Sequence, residues 1–133
     1  SSLATCALEG VDALDTVEPV LAVFDARMGE IYLGGYQWRH DGLECLVEDG
    51  LHAPDHVPDL SGHLWQGVGS GGVYADTLGH QLPLRGAWCT DIVPRARAVA
   101  RLAAPRLKAG EGVPAEQAQP VYLRNRVTGG AVR

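Results

Sequence analysis

The sequence is short of the residues that would let covalent or metal cross-links hold a small chain together. Its three cysteines, Cys6, Cys45 and Cys89, are odd in number, far apart and form no C-x-x-C. Neither a disulfide framework nor a zinc site follows, and unpaired thiols in a reducing compartment are expected. His52 and His56 are four apart, a spacing that on one helical face can hold a metal. Pro54 fits best as a first helical residue, which leaves His52 outside the helix, and no third ligand stands nearby, so no metal is assigned. Long apolar runs are also absent. Those present, such as residues 19–24, are strand-sized beside the roughly 20 residues a membrane helix needs, and no positively charged leader precedes one. A cytoplasmic protein with no membrane contact is expected. There is no initiator Met, and the chain opens on a helix-like run, so a missing beginning is expected. Ser70 has no G-x-S-x-G elbow and no convincing base in His63 or His80, so no catalytic residue is assigned.

Basic residues are scarce in the first 94 positions, where Arg27, Arg39 and Arg85 face fourteen acidic residues for a net −11. Residues 95–133 reverse the sign, with eight basic residues against Glu111 and Glu116, and the whole chain carries −5. Arg95, Arg97, Arg101, Arg106, Lys108, Arg124 and Arg126 could track an RNA backbone or form a solvated helix face. With Tyr122 as its one aromatic, this segment lacks the stacking platforms of single-strand binders.

What is present is an ordinary globular composition, 46% hydrophobic and 20% charged in 133 residues. A chain of this size buries roughly two thirds of its unfolded surface, enough for one core. Leu3, Ala7, Gly10 and Leu14 lie at helical spacing, with Ser1 or Ser2 as N-cap. Residues 17–26 and 30–39 read as two strands of a hairpin joined by Arg27-Met28-Gly29, where Gly29 supplies a positive φ. Asp41-Gly42 is a second hairpin turn, and residues 43–51 form a third strand. One or two helical turns are expected over residues 54–60, a short strand over 63–68 and a short helix over 73–78. Asp91 is the expected N-cap of a longer helix, with Pro94 in its first turn and a kink or end near Ala104 forced by Pro105. Val93, Ala96, Val99, Ala100, Ala103 and Leu107 make the expected core-packing stripe of that helix, its arginines facing out.

Two segments could carry chemistry. Asp25 closes a strand, where a carboxylate could hold hydrated Mg²⁺ beside a phosphate. Alternatively, its side chain caps the turn while Arg27 and Glu30 pair at the surface. Gly67-Val68-Gly69-Ser70-Gly71-Gly72 formally matches the dinucleotide fingerprint between a strand and a helix. The following helix is short and Asp91 stands as a cap, so Gly69, Ser70, Gly71 and Gly72 read either as a ligand-free turn or as a backbone approach to a nucleotide.

The segment Asp25-Ala26-Arg27-Met28-Gly29-Glu30-Ile31-Tyr32 and the tail Gln119-Pro120-Val121-Tyr122-Leu123-Arg124-Asn125 resemble the hairpin and ending of the TsaB (YeaZ) family. The resemblance implies a mixed α/β, ribonuclease-H-like lobe of the actin, Hsp70 and sugar kinase (ASKHA) superfamily, with an antiparallel three-strand start and flanking helices. It also implies the division of the chain: residues 1–16 end an absent N-terminal lobe, 17–128 form the C-terminal lobe, and 129–133 fray. Its functional implication is a non-catalytic scaffold or activator that partners TsaD-like and TsaE-like proteins in threonylcarbamoylation of the tRNA adenosine next to the anticodon. The tRNA would then be met through the complex, and a homodimer of the intact protein is a further expectation. No cofactor is assigned to the chain itself, ATP or ADP with Mg²⁺ being left to the intact complex. The alternatives are a nucleotide-binding enzyme of the same superfamily or a glycoprotease-like protein.

Overall fold

The computed structural model describes residues 1–124. Helix α1 (Ser2–Leu14) starts where its cap predicts, the Ala4 amide donating to the Ser1 hydroxyl at 3.1 Å. Gly10 weakens this helix in isolation but lets it lie close on the sheet. A Cβ there would stand 3.0 Å from a Val68 methyl and 3.4 Å from one of Val20.

Among the described residues four strands form the sheet, in the order β3 (Gly42–His52), β2 (Ile31–Arg39), β1 (Val20–Asp25), β4 (Gln66–Val68). The first three pair antiparallel, and β4 joins β1 in parallel. An uninterrupted apolar run suits β1 because the sheet is covered on both faces there. On one face Val20, Ala22, Tyr36 and Val68 pack against Leu3, Cys6, Ala7 and Val11 of α1. On the other, Leu21, Val23, Ile31 and Leu33 meet Leu60, Trp65, Leu78 and Leu82. Gly35, at a bulge in β2, leaves space for the Trp65 ring, which a Cβ would approach to 2.8 Å. The indole Nε1 of Trp65 donates to the Leu60 carbonyl at 2.8 Å. Beyond β4, isolated parallel bridges Trp65–Leu84 and Val68–Cys89 extend the sheet through a segment whose Pro83 and Gly86 hide any strand pattern in the sequence. The antiparallel start, parallel continuation and flanking helices are the mixed α/β arrangement expected of a ribonuclease-H-like lobe.

Local differences from expectation have local causes. The second hairpin turns on His40 and Asp41, with His40 at φ 52°, and Gly42 already opens β3. Residues 54–60 are not helical. Instead, the His56 amide closes a turn onto the Ala53 carbonyl at 3.0 Å, and Pro58 biases Val57 away from helical backbone. The expected helix over 73–78 begins as a 3₁₀ turn (Ser70–Tyr74) and becomes α2 (Ala75–Gly79).

Helix α3 (Ala96–Lys108) differs most. Asp91 does not cap it. Pro94 biases Val93 to extended backbone, Arg95 is extended too, and the helix starts after them without a side-chain cap. Pro105 does not end it at Ala104, since it continues to Lys108, and the Ala109 and Glu111 amides bond back to Pro105 and Arg106. The expected core stripe faces outward, with Val99 52% and Leu107 69% exposed, while Ala98 is buried and Leu102 half-buried. The reason lies on α1, which presents the buried Glu9 and, one turn on, Asp12. Arg97 grips the Glu9 carboxylate with two bonds at 3.0 and 2.7 Å, Arg95 approaches it at 4.0 Å, and Arg101 bonds Asp12 while lying over the Trp38 ring. A buried carboxylate without a cation is costlier than an aliphatic side chain left in water, so the arginines set the rotation of α3.

Candidate functional site

The turn between β1 and β2 is built from its ends inward. The Ala26 amide donates to the Glu30 carbonyl at 2.9 Å and the Glu30 amide to the Arg27 carbonyl at 3.1 Å, leaving Arg27, Met28 and Gly29 as the loop. All three have positive φ, at 64°, 56° and 73°. Gly29 adopts this freely, as its position in the sequence predicts. For Arg27 and Met28, however, left-handed backbone costs about 1–2 kcal/mol each, so other contacts must compensate.

Two sets of contacts do so. The Asp25 carboxylate accepts the Arg27 amide at 2.9 Å, the capping role weighed for it in the sequence, and the Asp25 amide donates to the Ser70 hydroxyl at 3.1 Å. The second set comes from the tail. Arg124 donates from Nη2 to Glu30 Oε2 at 2.5 Å and to the Arg27 carbonyl at 3.3 Å, while its Nη1 meets Met28 Sδ at 3.5 Å. Glu30 therefore pairs with Arg124 and not with Arg27, whose guanidinium stays in solvent, 3.8 Å from Asp25. Tyr32 sits on β2 against the α1-side core, and Leu123 packs against the same cluster. Met28, Val121 and Tyr122 face outward, as does Pro120. Asn125, Arg126 and the expected frayed end lie outside the described residues.

The glycine loop borders this turn through Ser70. Gly69 has φ 93° and a Cβ there would stand 2.6 Å from the Val23 carbonyl oxygen. At Gly67 a Cβ would enter the Trp88 ring at 2.3 Å, at Gly71 a Val23 methyl at 2.3 Å, and at Gly72 it would meet Thr90 at 2.4 Å. The Trp88 Nε1 donates to the Gly69 carbonyl at 2.9 Å. The space these glycines leave open is filled by the chain's own side chains. Sequence reasoning passed over Trp88, and only the run of glycines hints that a large ring must lie on them.

The other candidates fall elsewhere. Among the described residues no three His, Cys, Asp or Glu side chains gather as a metal site. Burial, and His56 beside it, lower the His52 imidazole below its ordinary range. Burial pushes the Cys6 thiol up to about 12. Between β2 and β3, the Tyr36 hydroxyl donates to Asp49, and burial, reinforced by that bond, raises its phenol. Glu9 moves the other way, the Arg97 hydrogen bonds holding its carboxyl below the usual range against the opposing effect of burial. Sequence reasoning also missed the Glu9–Arg97 pair. Its one signal is a carboxylate on the otherwise apolar face of α1. No helix among the described residues is long and apolar enough to cross a membrane.

No family model matches the sequence. The tRNA threonylcarbamoyladenosine biosynthesis protein TsaB of Escherichia coli K12 is 33% identical over 114 residues, which are 81% of this chain and 48% of that protein. The structure of YeaZ from Pseudomonas aeruginosa superposes with a TM-score of 0.76 at 33% identity, over 92% of this chain and 56% of that one. A second Pseudomonas aeruginosa structure, of an uncharacterized protein with similarity to peptidase YEAZ, gives 0.75 at 33% identity over 93% and 57%. The chain thus spans about half the length of the relatives it matches. By sequence and by fold, these 133 residues are similar to about half of the TsaB (YeaZ) proteins they match.

Proposed function

We propose that the chain is a scaffold lobe in tRNA threonylcarbamoyladenosine synthesis, corresponding to the C-terminal part of its relatives and acting without catalytic residues of its own. The observation that carries this reading is the 33% identity to TsaB over 81% of the chain, matched by a superposition at TM-score 0.76. In this reading the chain works beside TsaD-like and TsaE-like subunits, which supply the transfer chemistry and the ATP cycle, and meets tRNA through them. Two local features support a packing role for the glycine loop. Trp88, Val23 and Thr90 occupy the side of the loop that a phosphate cradle would leave open. Asp25 is engaged with the Arg27 amide and, more loosely, the Arg27 guanidinium.

Deleting the gene that encodes these residues should abolish threonylcarbamoyladenosine in digests of total tRNA. Normal levels of the modified nucleoside would reject the assignment. Calorimetry with Mg-ATP should show no saturable heat on the purified chain. Saturable binding lost in Asp25→Ala would replace the scaffold by a nucleotide-binding enzyme.

A further inference from the structure

Past Cys89 the chain holds to the body by different means. The Cys89 amide donates to the Gly67 carbonyl and its own carbonyl accepts from the Gly69 amide, both at 3.0 Å. Among the described residues, every backbone–backbone hydrogen bond from Thr90 to Leu123 then stays inside that stretch. Burial attaches α3 weakly as well, with Ala98 buried, Leu102 half-buried and its other residues exposed. What fastens it is charge. Arg97 bonds both oxygens of Glu9, Arg95 stands 4.0 Å from the same carboxylate, and Arg101 bonds Asp12 while covering Trp38. Ile92, on the way into the helix, packs on the α1-side core, and its carbonyl accepts the Cys6 thiol at 3.5 Å. Two buried groups of α1, Cys6 and Glu9, therefore meet this one segment.

We propose that residues 90–108 form a strap, latched to α1 through Glu9 and Asp12, that lifts while the sheet stays folded and so gates the outer face of α1, Cys6 included. Lifting hydrates Glu9 and Arg97 together, which costs far less than removing one partner and leaving the other buried. Once lifted, α3 has little to keep it helical, because 13 residues with no side-chain N-cap and with Pro105 inside are marginal in water. The sheet loses none of its own hydrogen bonds or cross-strand packing, since α3 packs chiefly on α1. A segment fastened by few apolar contacts belongs to the low-stability end of a fold, where opening is local.

Iodoacetamide labelling of Cys6 in the intact chain, followed by peptide mass over low urea concentrations, reports how often the strap lifts. In the regime where the rate is proportional to reagent, Cys6 should label through an opening at least about tenfold more populated than global unfolding and nearly flat in urea. It should still label far more slowly than the exposed Cys45. Arg97→Gln should raise the Cys6 rate about tenfold or more, and Arg101→Gln should raise it less, because its pair with Asp12 is the more exposed. Raising NaCl from about 0.05 M to about 1 M should speed the wild type more than the double variant, which has lost the screened pairs. Cys6 labelling that follows the urea dependence of global unfolding, read by tryptophan fluorescence, overturns the strap, since α3 then leaves only with the whole fold. A flat, readily populated opening that neither variant changes overturns the latch through Glu9 and Asp12. Should Arg97→Gln fail to fold, Arg101→Gln and the salt series on the wild type decide the latch.

Discussion

At Gly71 a new Cβ would meet a Val23 methyl at 2.3 Å and the Val23 backbone carbon at 3.0 Å. Because Val23 is fully buried, it has little room to yield. Gly71→Ala should therefore destabilise by about 1–3 kcal/mol, read as a lower urea midpoint. Gly62→Ala meets nothing within 4 Å and should stay within about 0.5 kcal/mol of wild type. The cysteines separate in the same way. Cys6 is fully buried, with its thiol raised to about 12, whereas Cys45 is exposed. Iodoacetamide on the native chain should leave Cys6 unmodified while Cys45 reacts, and labelling of Cys6 at the rate seen in denaturant would contradict the burial.

Between α1 and α3, contact depends on charge more than on apolar surface, and this makes it sensitive to pH. The Glu9 carboxyl lies below its ordinary value of 4.5 in the folded chain because Arg97 donates to it. Its contribution is therefore fully present above the ordinary carboxylate range and is lost as pH falls through the depressed value. Denaturant midpoints should drop as the wild type is acidified below pH 4.5, and Glu9→Gln should flatten that acid limb while lowering stability at neutrality. The rotation of α3 gives an independent test. Leu107→Ser removes a side chain that is already 69% exposed and should cost less than about 0.5 kcal/mol. Ala98→Leu, at 1% exposure, should cost about 1–3 kcal/mol by overpacking. Periodicity made the opposite assignment. Alanine and valine at helical spacing read as core, and no local pattern reveals that the neighbouring helix offers carboxylates at the crossing.

Across the whole molecule, the cores on the two sides of the sheet share β1, since Val20 and Ala22 belong to one and Leu21 and Val23 to the other. Loss of either should unfold both together. Leu33→Ala on the Trp65 side should cost about 2–5 kcal/mol, with tryptophan fluorescence and far-UV circular dichroism moving in one coincident transition. Separate transitions would mean that the α1 side folds without its opposite.

The α1 cap, the three antiparallel strands and the position of the 27–29 turn were legible in the sequence because each rests on neighbours in the chain: a serine before an apolar period, alternation of period two, a glycine where φ turns positive. Both segments that carry the family resemblance could be read for the same reason. Tertiary structure alone decided which face of α3 is buried, which rings fill the space above the glycines, and that Arg124 closes the turn at Glu30. Each of these depends on a partner distant in the chain. Local propensity and periodicity carry no information about such a partner, whereas charge pairing and close packing depend on it entirely.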